Sequence, residues 1–192
     1  MRRHACVCGV EVDPLGYHGL SCRRSAGRQR RHAQANDIIA RALRAADVQV
    51  QLEPHFLFRD DGLRPDGTTL DPWSAGRHLV WDFTCPDTLA PSHLVQSAAQ
   101  AGSAAADAEA SKCAKYSKLR QKAENIFVPL AIESLGTWGP SASSLCKEIG
   151  ARLATSTGDP RALYFLRQRL GLAVQRDAAS ISGTSPQADI LE

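Results

Sequence analysis

The segment His78-Leu79-Val80-Trp81-Asp82-Phe83-Thr84 is rich in β-branched and aromatic residues and predicts a buried β-strand. Upstream, Arg64-Pro65-Asp66-Gly67 opens a second candidate strand, residues 64–70. Strands linked as a hairpin can set Asp66 and Asp82 side by side at one end of a sheet. Two carboxylates placed in this way can bridge a hard divalent cation such as Mg²⁺, which stabilises charge that develops on a phosphate.

The spacing alone leaves a purely structural role for Asp66 and Asp82 open, because aspartate is an ordinary turn and cap residue. A phosphate-cleaving site would also use a lysine to orient the attacking water or to neutralise the transition state. Lys112 and Lys115, in a helix that follows the strands, are the candidates. Glu53, on the preceding strand, is either an auxiliary metal ligand or a solvated acid at the sheet edge.

The rest of the pattern predicts an α/β chain with a mixed sheet. The elements expected around the two strands are a helix at 29–47, a first strand at 48–58 interrupted by Pro54, a long helix at 92–125 with a break at Gly102, a fourth strand at 126–132 with Pro129 at an edge or bulge, and helices at 141–155 and 160–177. The order is therefore helix, three strands, helix, strand and two closing helices. Trp81 and Trp138 are expected in the core rather than as platforms for stacked bases.

The composition is that of an ordinary globular protein, with 192 residues, 43% hydrophobic and 22% charged. No apolar run approaches the roughly 20 residues needed to span a bilayer, and the N-terminus lacks the apolar stretch of a signal peptide. We therefore expect an intracellular protein that does not insert into membranes. Its six cysteines are then better interpreted as free thiols or metal ligands than as disulfides.

The net charge of +3 conceals an uneven distribution along the chain. Residues 1–31 carry seven arginines against Glu11 and Asp13, a balance of +5, so the other 161 residues sum to −2. Arginine pairs well with phosphate, which favours a nucleic acid as the partner; solvated arginines from a biased composition are the alternative. The candidate nucleic-acid-binding residues are Arg23, Arg24, Arg28, Arg30 and Arg31.

Four potential zinc ligands lie within 17 residues near the N-terminus: Cys6, Cys8, His18 and Cys22. Zinc takes four Cys or His ligands in tetrahedral geometry, although a first cysteine pair usually has two to four intervening residues and here has one. Surface cysteines in a loop are the alternative. The isolated thiols are expected to be buried or incidental, and they are Cys85, Cys113 and Cys146.

Three motifs together resemble the restriction-endonuclease-like nuclease domain of non-LTR retrotransposon reverse transcriptases. They are Pro65-Asp66, Asp82-Phe83-Thr84 and Lys112-Cys113-Ala114-Lys115-Tyr116. Residues 6–9 and 18–22 resemble the Cys-Cys-His-Cys knuckle that precedes this nuclease. Further matching stretches are residues 23–28, 79–84, 87–90 and 135–140. The resemblance covers roughly residues 5–178, and it rests on the order and combination of the motifs.

The resemblance implies a restriction-endonuclease-like fold and an activity that nicks target DNA to leave a 3′ hydroxyl. It divides the chain into a zinc-knuckle-like basic module at 1–28, the nuclease domain at 29–178 and a flexible tail at 179–192. Asp66 and Asp82 match the metal-binding aspartates, with Mg²⁺ or Mn²⁺ as the catalytic cofactor and Zn²⁺ as a structural ion.

The resemblance places the catalytic lysine less directly. In the wider PD-(D/E)XK superfamily a lysine lies two residues after the second acid, where this chain has Thr84. The family's Lys-x-x-Lys-Tyr segment suggests that the lysine comes from the following helix. Lys115, with Tyr116 beside it, is therefore preferred over Lys112.

The same resemblance implies target DNA, and element RNA as a further candidate, as partners in a nucleus. The chain has no polymerase signature, so we expect the polymerase portion of the parent element to be missing. The alternative from another class is a catalytically inactive, nucleic-acid-binding relic of such an element. It predicts salt-dependent binding with no metal-dependent strand scission.

Overall fold

The computed structural model describes residues 3–6, 8–12, 14, 18, 22, 24, 26–54 and 63–181. Within these residues the strands are β1 (His4–Ala5), β2 (Glu11–Val12), β3 (Val50–Leu52), β4 (Gly67–Thr69), β5 (His78–Thr84) and β6 (Asn125–Ala131). The helices are α1 (Ala26–Ala45), α2 (Leu94–Ala99), α3 (Ser103–Lys115), α4 (Ser117–Arg120), α5 (Pro140–Thr157) and α6 (Ala162–Ile181). This order confirms the predicted α/β class and the predicted succession of elements.

The main sheet has four strands in the order β3-β4-β5-β6. The first two pairings are antiparallel and the last is parallel, so the sheet is mixed, as predicted. A parallel pair needs a crossover connection, and α2, α3 and α4 supply it between β5 and β6. Strand β6 forms one edge of the sheet. This agrees with the prediction that the strand containing Pro129 lies at an edge or contains a bulge.

Strand β5 presents alternate residues to two different layers of helices, because side chains along a strand point to opposite faces. Leu79, Trp81 and Phe83 belong to the main core, which α1, α5 and α6 complete. Val80 instead packs with Tyr116 and with residues of α4 and β6 in a smaller core. Alternation therefore places the Asp82 side chain on the face that looks toward α3 and α4.

Several boundaries differ from those predicted. β3 and β4 are shorter than the predicted strands at 48–58 and 64–70, and residues 55–62 lie outside the described part of the chain. The helix predicted over 92–125 breaks at Gly102, as expected, and again at Tyr116, which was not expected. The last helix continues to Ile181, past its predicted end at 177, while residues 182–192 of the predicted tail lie outside the described part.

Two buried glutamates link the helices to one another. Glu109 of α3 accepts hydrogen bonds from the backbone N–H groups of Ser141 and Ala142, both at 2.9 Å, and so caps the first turn of α5. Glu133, which follows β6, accepts one from Ala105 in the first turn of α3 at 3.1 Å. A carboxylate at a helix N-terminus satisfies unpaired N–H groups and interacts favourably with the helix dipole.

The tryptophans are core residues, as predicted. Trp81 is fully buried, and Trp138 is half-buried against the main core. The indole of Trp81 lies directly over Gly67 on the neighbouring strand, where any Cβ would overlap with the ring. None of the helices in the described ranges is long and apolar enough to cross a membrane.

Substitution of Gly67 with alanine should destabilise the protein by about 1–3 kcal/mol, because the added methyl group overpacks a core with no room for it. Urea unfolding followed by tryptophan fluorescence measures this change. Gly171→Ala is the matched control, since the space around Gly171 in α6 is open. That control should stabilise the helix by about 0.5–1 kcal/mol. Equal stability of Gly67→Ala and the wild type would contradict the described packing.

Candidate active site and metal centre

The two predicted aspartates lie on neighbouring strands. Asp66 directly precedes β4 and Asp82 lies within β5, and the register that pairs Gly67 with Trp81 brings these strand segments together. The Asp66 side chain is 14% exposed and that of Asp82 only 5%. Carboxylates this far from water need hydrogen-bond donors or positive charge nearby.

Two side chains of the crossover helices meet the Asp82 carboxylate. Lys112 Nζ donates to Oδ1 at 2.5 Å, and the Tyr116 hydroxyl donates to Oδ2. The same hydroxyl lies 3.0 Å from the backbone oxygen of Arg64, on the segment that leads into β4. Lys112 and Tyr116 are four residues apart, the spacing at which helical side chains share a face. One face at the end of α3 therefore supplies both partners of Asp82.

Lys115, which the resemblance favours, contacts Tyr116 rather than Asp82. Its Nζ lies 3.4 Å from the Tyr116 hydroxyl and 4.8 Å from the centre of the same ring. The structure thus brings Lys112, rather than Lys115, to the Asp82 carboxylate. The spacing of four residues between Lys112 and Tyr116 is consistent with this arrangement, although the sequence pattern by itself left both lysines open.

The Asp66 carboxylate has two donors, one of which the sequence analysis missed. Its Oδ2 accepts the backbone N–H of Phe83 at 2.5 Å and lies 3.1 Å from Nε2 of His32. The hydrogen bond to Asp66 raises the pKa of His32, and burial opposes that rise. The signal for His32 was its place on α1, where His32 and Asn36 are polar residues on the helix's apolar stripe.

A groove of about 620 Å³ opens between α1 and the segment that leads into β4, beside Asp66. Its lining includes Arg28 and His32 of α1 and, across from them, Glu53 and Arg64. Glu53 is 66% exposed and forms an ion pair with Arg64. The structure therefore places Glu53 at the rim of the groove beside Asp66, where both of its predicted roles remain open.

The predicted arginine surface is present in part. Arg24, Arg28 and Arg30 are exposed, and Arg28 lines the groove. Arg31 is 2% exposed and does not lie on the surface with them. Its burial follows from the helical period, which turns Arg31 inward together with Ala35. Arg23 lies outside the described residues.

The four predicted zinc ligands come together in space. Their ligand atoms all lie within 4.8 Å of one another, with Cys6 and Cys22 sulfurs 3.5 Å apart and Cys8 Sγ 3.1 Å from Nε2 of His18. A tetrahedral zinc with bonds of about 2.0–2.3 Å would hold its ligand atoms about 3.5–4 Å apart. The cluster could therefore hold a metal ion such as zinc.

The β1–β2 hairpin explains how Cys6 and Cys8 can both reach the cluster with one residue between them. The Gly9 N–H donates to the Cys6 carbonyl at 2.8 Å, and the Cys6 N–H donates to the Val10 carbonyl at 2.9 Å. Gly9 has a φ of 90°, a conformation that glycine adopts without strain. The turn thus folds the two cysteine side chains toward the same point.

No protein-family model matches this chain, and no curated protein sequence matches it.

Purified protein should contain one zinc ion per chain, and Cys22→Ser should lose it because a tetrahedral site needs all four ligands. Elemental analysis of protein prepared without chelators measures the ratio. Cys113→Ser is the matched control, since Cys113 lies outside the cluster, and it should keep its zinc. Equal zinc content in the two variants would contradict the assignment of the ligands.

Cys85 and Cys146 should be nearly inert toward iodoacetamide in the folded protein at pH 8. Burial raises the pKa of each thiol to about 11, although the charge of Arg31 opposes the rise at Cys85. At pH 8 about one such thiol in a thousand is ionised, and only the thiolate reacts. Peptide mass spectrometry can follow the labelling, which should become fast in guanidinium chloride. Labelling at the same rate in folded and unfolded protein would contradict the burial of these thiols.

Proposed function

We propose that the protein is a metal-dependent endonuclease that hydrolyses a phosphodiester bond in DNA. The observation that carries the proposal is that Asp66 and Asp82 lie on paired segments of adjacent strands, with Lys112 hydrogen-bonded to Asp82. Two carboxylates and one lysine at the end of a sheet are the groups that phosphodiester hydrolysis uses. The order of helix, three strands, helices and strand in a mixed sheet is consistent with a restriction-endonuclease-like core.

Asp66 and Asp82 would hold the divalent cation, Mg²⁺ or Mn²⁺, because carboxylate oxygens are the ligands that these ions prefer. Their partial burial suits this role, since a dication would compensate two carboxylates that are largely removed from water. When bound there, the cation would lower the pKa of water and stabilise negative charge on the phosphate.

Lys112 and Tyr116 have separate roles in the proposed reaction. The Lys112 ammonium group is held at Asp82, from which it can donate to a phosphate oxygen and stabilise the charge of the transition state. The Tyr116 hydroxyl fixes the Asp82 carboxylate. In the reaction a water adds to phosphorus and loses a proton, while the P–O3′ bond breaks and O3′ gains a proton. The products are a 3′ hydroxyl and a 5′ phosphate.

The DNA backbone would approach along the exposed arginines of α1 and its preceding segment. Arg28 lines the groove that opens beside Asp66, so a strand held there would pass the acidic pair. Contacts of arginine with phosphate release condensed counterions, which makes binding weaken steeply with salt. The Cys6-Cys8-His18-Cys22 cluster would hold a structural zinc in the N-terminal module.

The wild-type protein should nick supercoiled plasmid in Mg²⁺ or Mn²⁺, and Asp66→Asn, Asp82→Asn and Lys112→Ala should each slow nicking at least about 100-fold. Asparagine keeps the size of the side chain and removes the charge. Agarose gel electrophoresis of supercoiled and open-circular DNA measures the rate. Lys118→Ala, which removes a lysine from α4 instead, is the matched control and should nick at the wild-type rate.

The outcomes separate the two classes of function. Equal nicking by the wild type and both aspartate variants would trace the activity to a contaminating nuclease and overturn the proposal. Salt-sensitive DNA binding by the wild type, with no nicking in either metal, would favour the inactive nucleic-acid binder. A loss of nicking in Lys115→Ala but not in Lys112→Ala would return the lysine role to Lys115.

A further inference from the structure

We propose that His32 is a positioning residue for Asp66, held in its Nε2–H tautomer by a chain of hydrogen bonds that starts at Trp81. The proposal rests on the proposed function, in which Asp66 is a metal-binding carboxylate. It concerns which ring nitrogen carries the proton and what that proton holds in place. Three buried or half-buried side chains form the chain, namely Trp81, Asn36 and His32.

This series of hydrogen bonds runs in one direction because an indole N–H can only donate. Trp81 Nε1 donates to Asn36 Oδ1 at 3.0 Å, which fixes the orientation of the amide. The amide nitrogen of Asn36 then faces Nδ1 of His32 at 3.3 Å and can only donate to it. His32 Nδ1 therefore keeps its lone pair, and the proton of the neutral ring is on Nε2. Trp81 is fully buried and Asn36 is 6% exposed, so water does not readily replace these bonds.

The proton on Nε2 lies between two acceptors, the backbone oxygen of Phe83, to which it is hydrogen-bonded, and the metal-binding carboxylate beside it. Nε2 lies 3.1 Å from Asp66 Oδ2 and 3.1 Å from the backbone oxygen of Phe83. Oδ2 accepts the Phe83 N–H, so the Phe83 amide and the His32 ring both lie against this one oxygen. Among the residues that the structure describes, no donor lies on Asp66 Oδ1. The arrangement thus fixes one oxygen of the carboxylate and leaves the other for a cation.

The tautomer decides whether His32 attracts or repels Asp66. In the Nε2–H form the ring donates to the carboxylate without needing a charge of its own. In the other neutral form a lone pair on Nε2 would face the lone pairs of Oδ2. The same arrangement excludes His32 as the general base for water, since its one lone pair is engaged by Asn36. Donors that orient a metal-binding carboxylate typically change metal affinity 10–100-fold when they are removed.

The first test is the tautomer itself, measured on the full-length, zinc-loaded protein labelled with ¹⁵N-histidine. Long-range ¹H–¹⁵N correlation spectra distinguish the two neutral tautomers, and the spectrum of His32→Gln identifies the His32 signals. At a pH where the ring is neutral, we expect a proton on Nε2 and none on Nδ1. A neutral wild-type ring with its proton on Nδ1 would overturn the proposal. In Asn36→Asp the introduced carboxylate accepts from both neighbours, so it should draw a proton to Nδ1.

The second test measures what the Nε2 proton does. His32→Gln keeps an N–H donor near the position of Nε2, whereas His32→Leu removes it. The Phe83 amide proton reports the orientation of Asp66 through their shared hydrogen bond, and its chemical shift should change in His32→Leu and be largely restored in His32→Gln. His93→Leu is the matched control, since His93 contacts the Asp87 carbonyl outside the site. An unchanged Phe83 shift in His32→Leu would overturn the positioning role.

Metal binding separates this proposal from the proposed function. Titration calorimetry with Mn²⁺ should show affinity about 10–100-fold weaker in His32→Leu and near the wild-type value in His32→Gln. Wild-type affinity in both variants would overturn the positioning role, while Asp66→Asn would still lose the metal. If Asp66→Asn instead binds Mn²⁺ as well as the wild type, the proposed function fails. In that case the two NMR measurements, the tautomer of His32 and the chemical shift of the Phe83 amide proton, still test whether His32 positions Asp66, because neither depends on metal binding.

Discussion

The carboxylate of Asp82 is the point on which the arrangement of the molecule depends. It lies near the end of a strand whose other buried residues are apolar, and burial of a charge without a partner costs several kcal/mol. Its partners, Lys112 and Tyr116, come from the crossover between β5 and β6. The helix breaks at Tyr116, whose hydroxyl donates to Asp82 while its ring packs in the smaller core. The same crossover also returns the chain to β6, which lies parallel to β5. One segment therefore compensates the buried charge of Asp82 and connects the two parallel strands.

The glutamates that cap α3 and α5 extend this principle to the rest of the helical layers. Glu109 ties α3 to the first turn of α5. The residue before α5 is Gly139, and a side chain there would overlap with the Glu109 carboxylate. Glu133 ties the end of β6 to the first turn of α3. Both links converge on the helix that carries Lys112. The position of the lysine is therefore fixed by packing and capping at some distance from the aspartates themselves.

The sequence predicted those parts of the molecule that local pattern controls. The apolar run of β5, the amphipathic period of α1 and the break at Gly102 each follow from neighbouring residues, and so does the meeting of the four zinc ligands, which lie close together along the chain. The partners of the aspartates come from distant segments, so their choice depends on tertiary packing. The pattern therefore did not decide between Lys112 and Lys115 as the lysine of the site. It gave no role to His32, which lies in α1 and contacts Asp66, a residue 34 positions later, just before β4.

The proline of β6 has a consequence for how copies of the protein meet. The Glu124 carbonyl and the Ile132 amide both point toward β5, so alternation turns the backbone of Pro129 to the outer side of the strand. Proline has no N–H group, so the outer edge of β6 lacks a donor at Pro129, which is itself buried. The opposite edge is the three-residue β3. Within the described residues, neither edge therefore offers a second molecule a long continuous ladder, and this disfavours edge-to-edge aggregation.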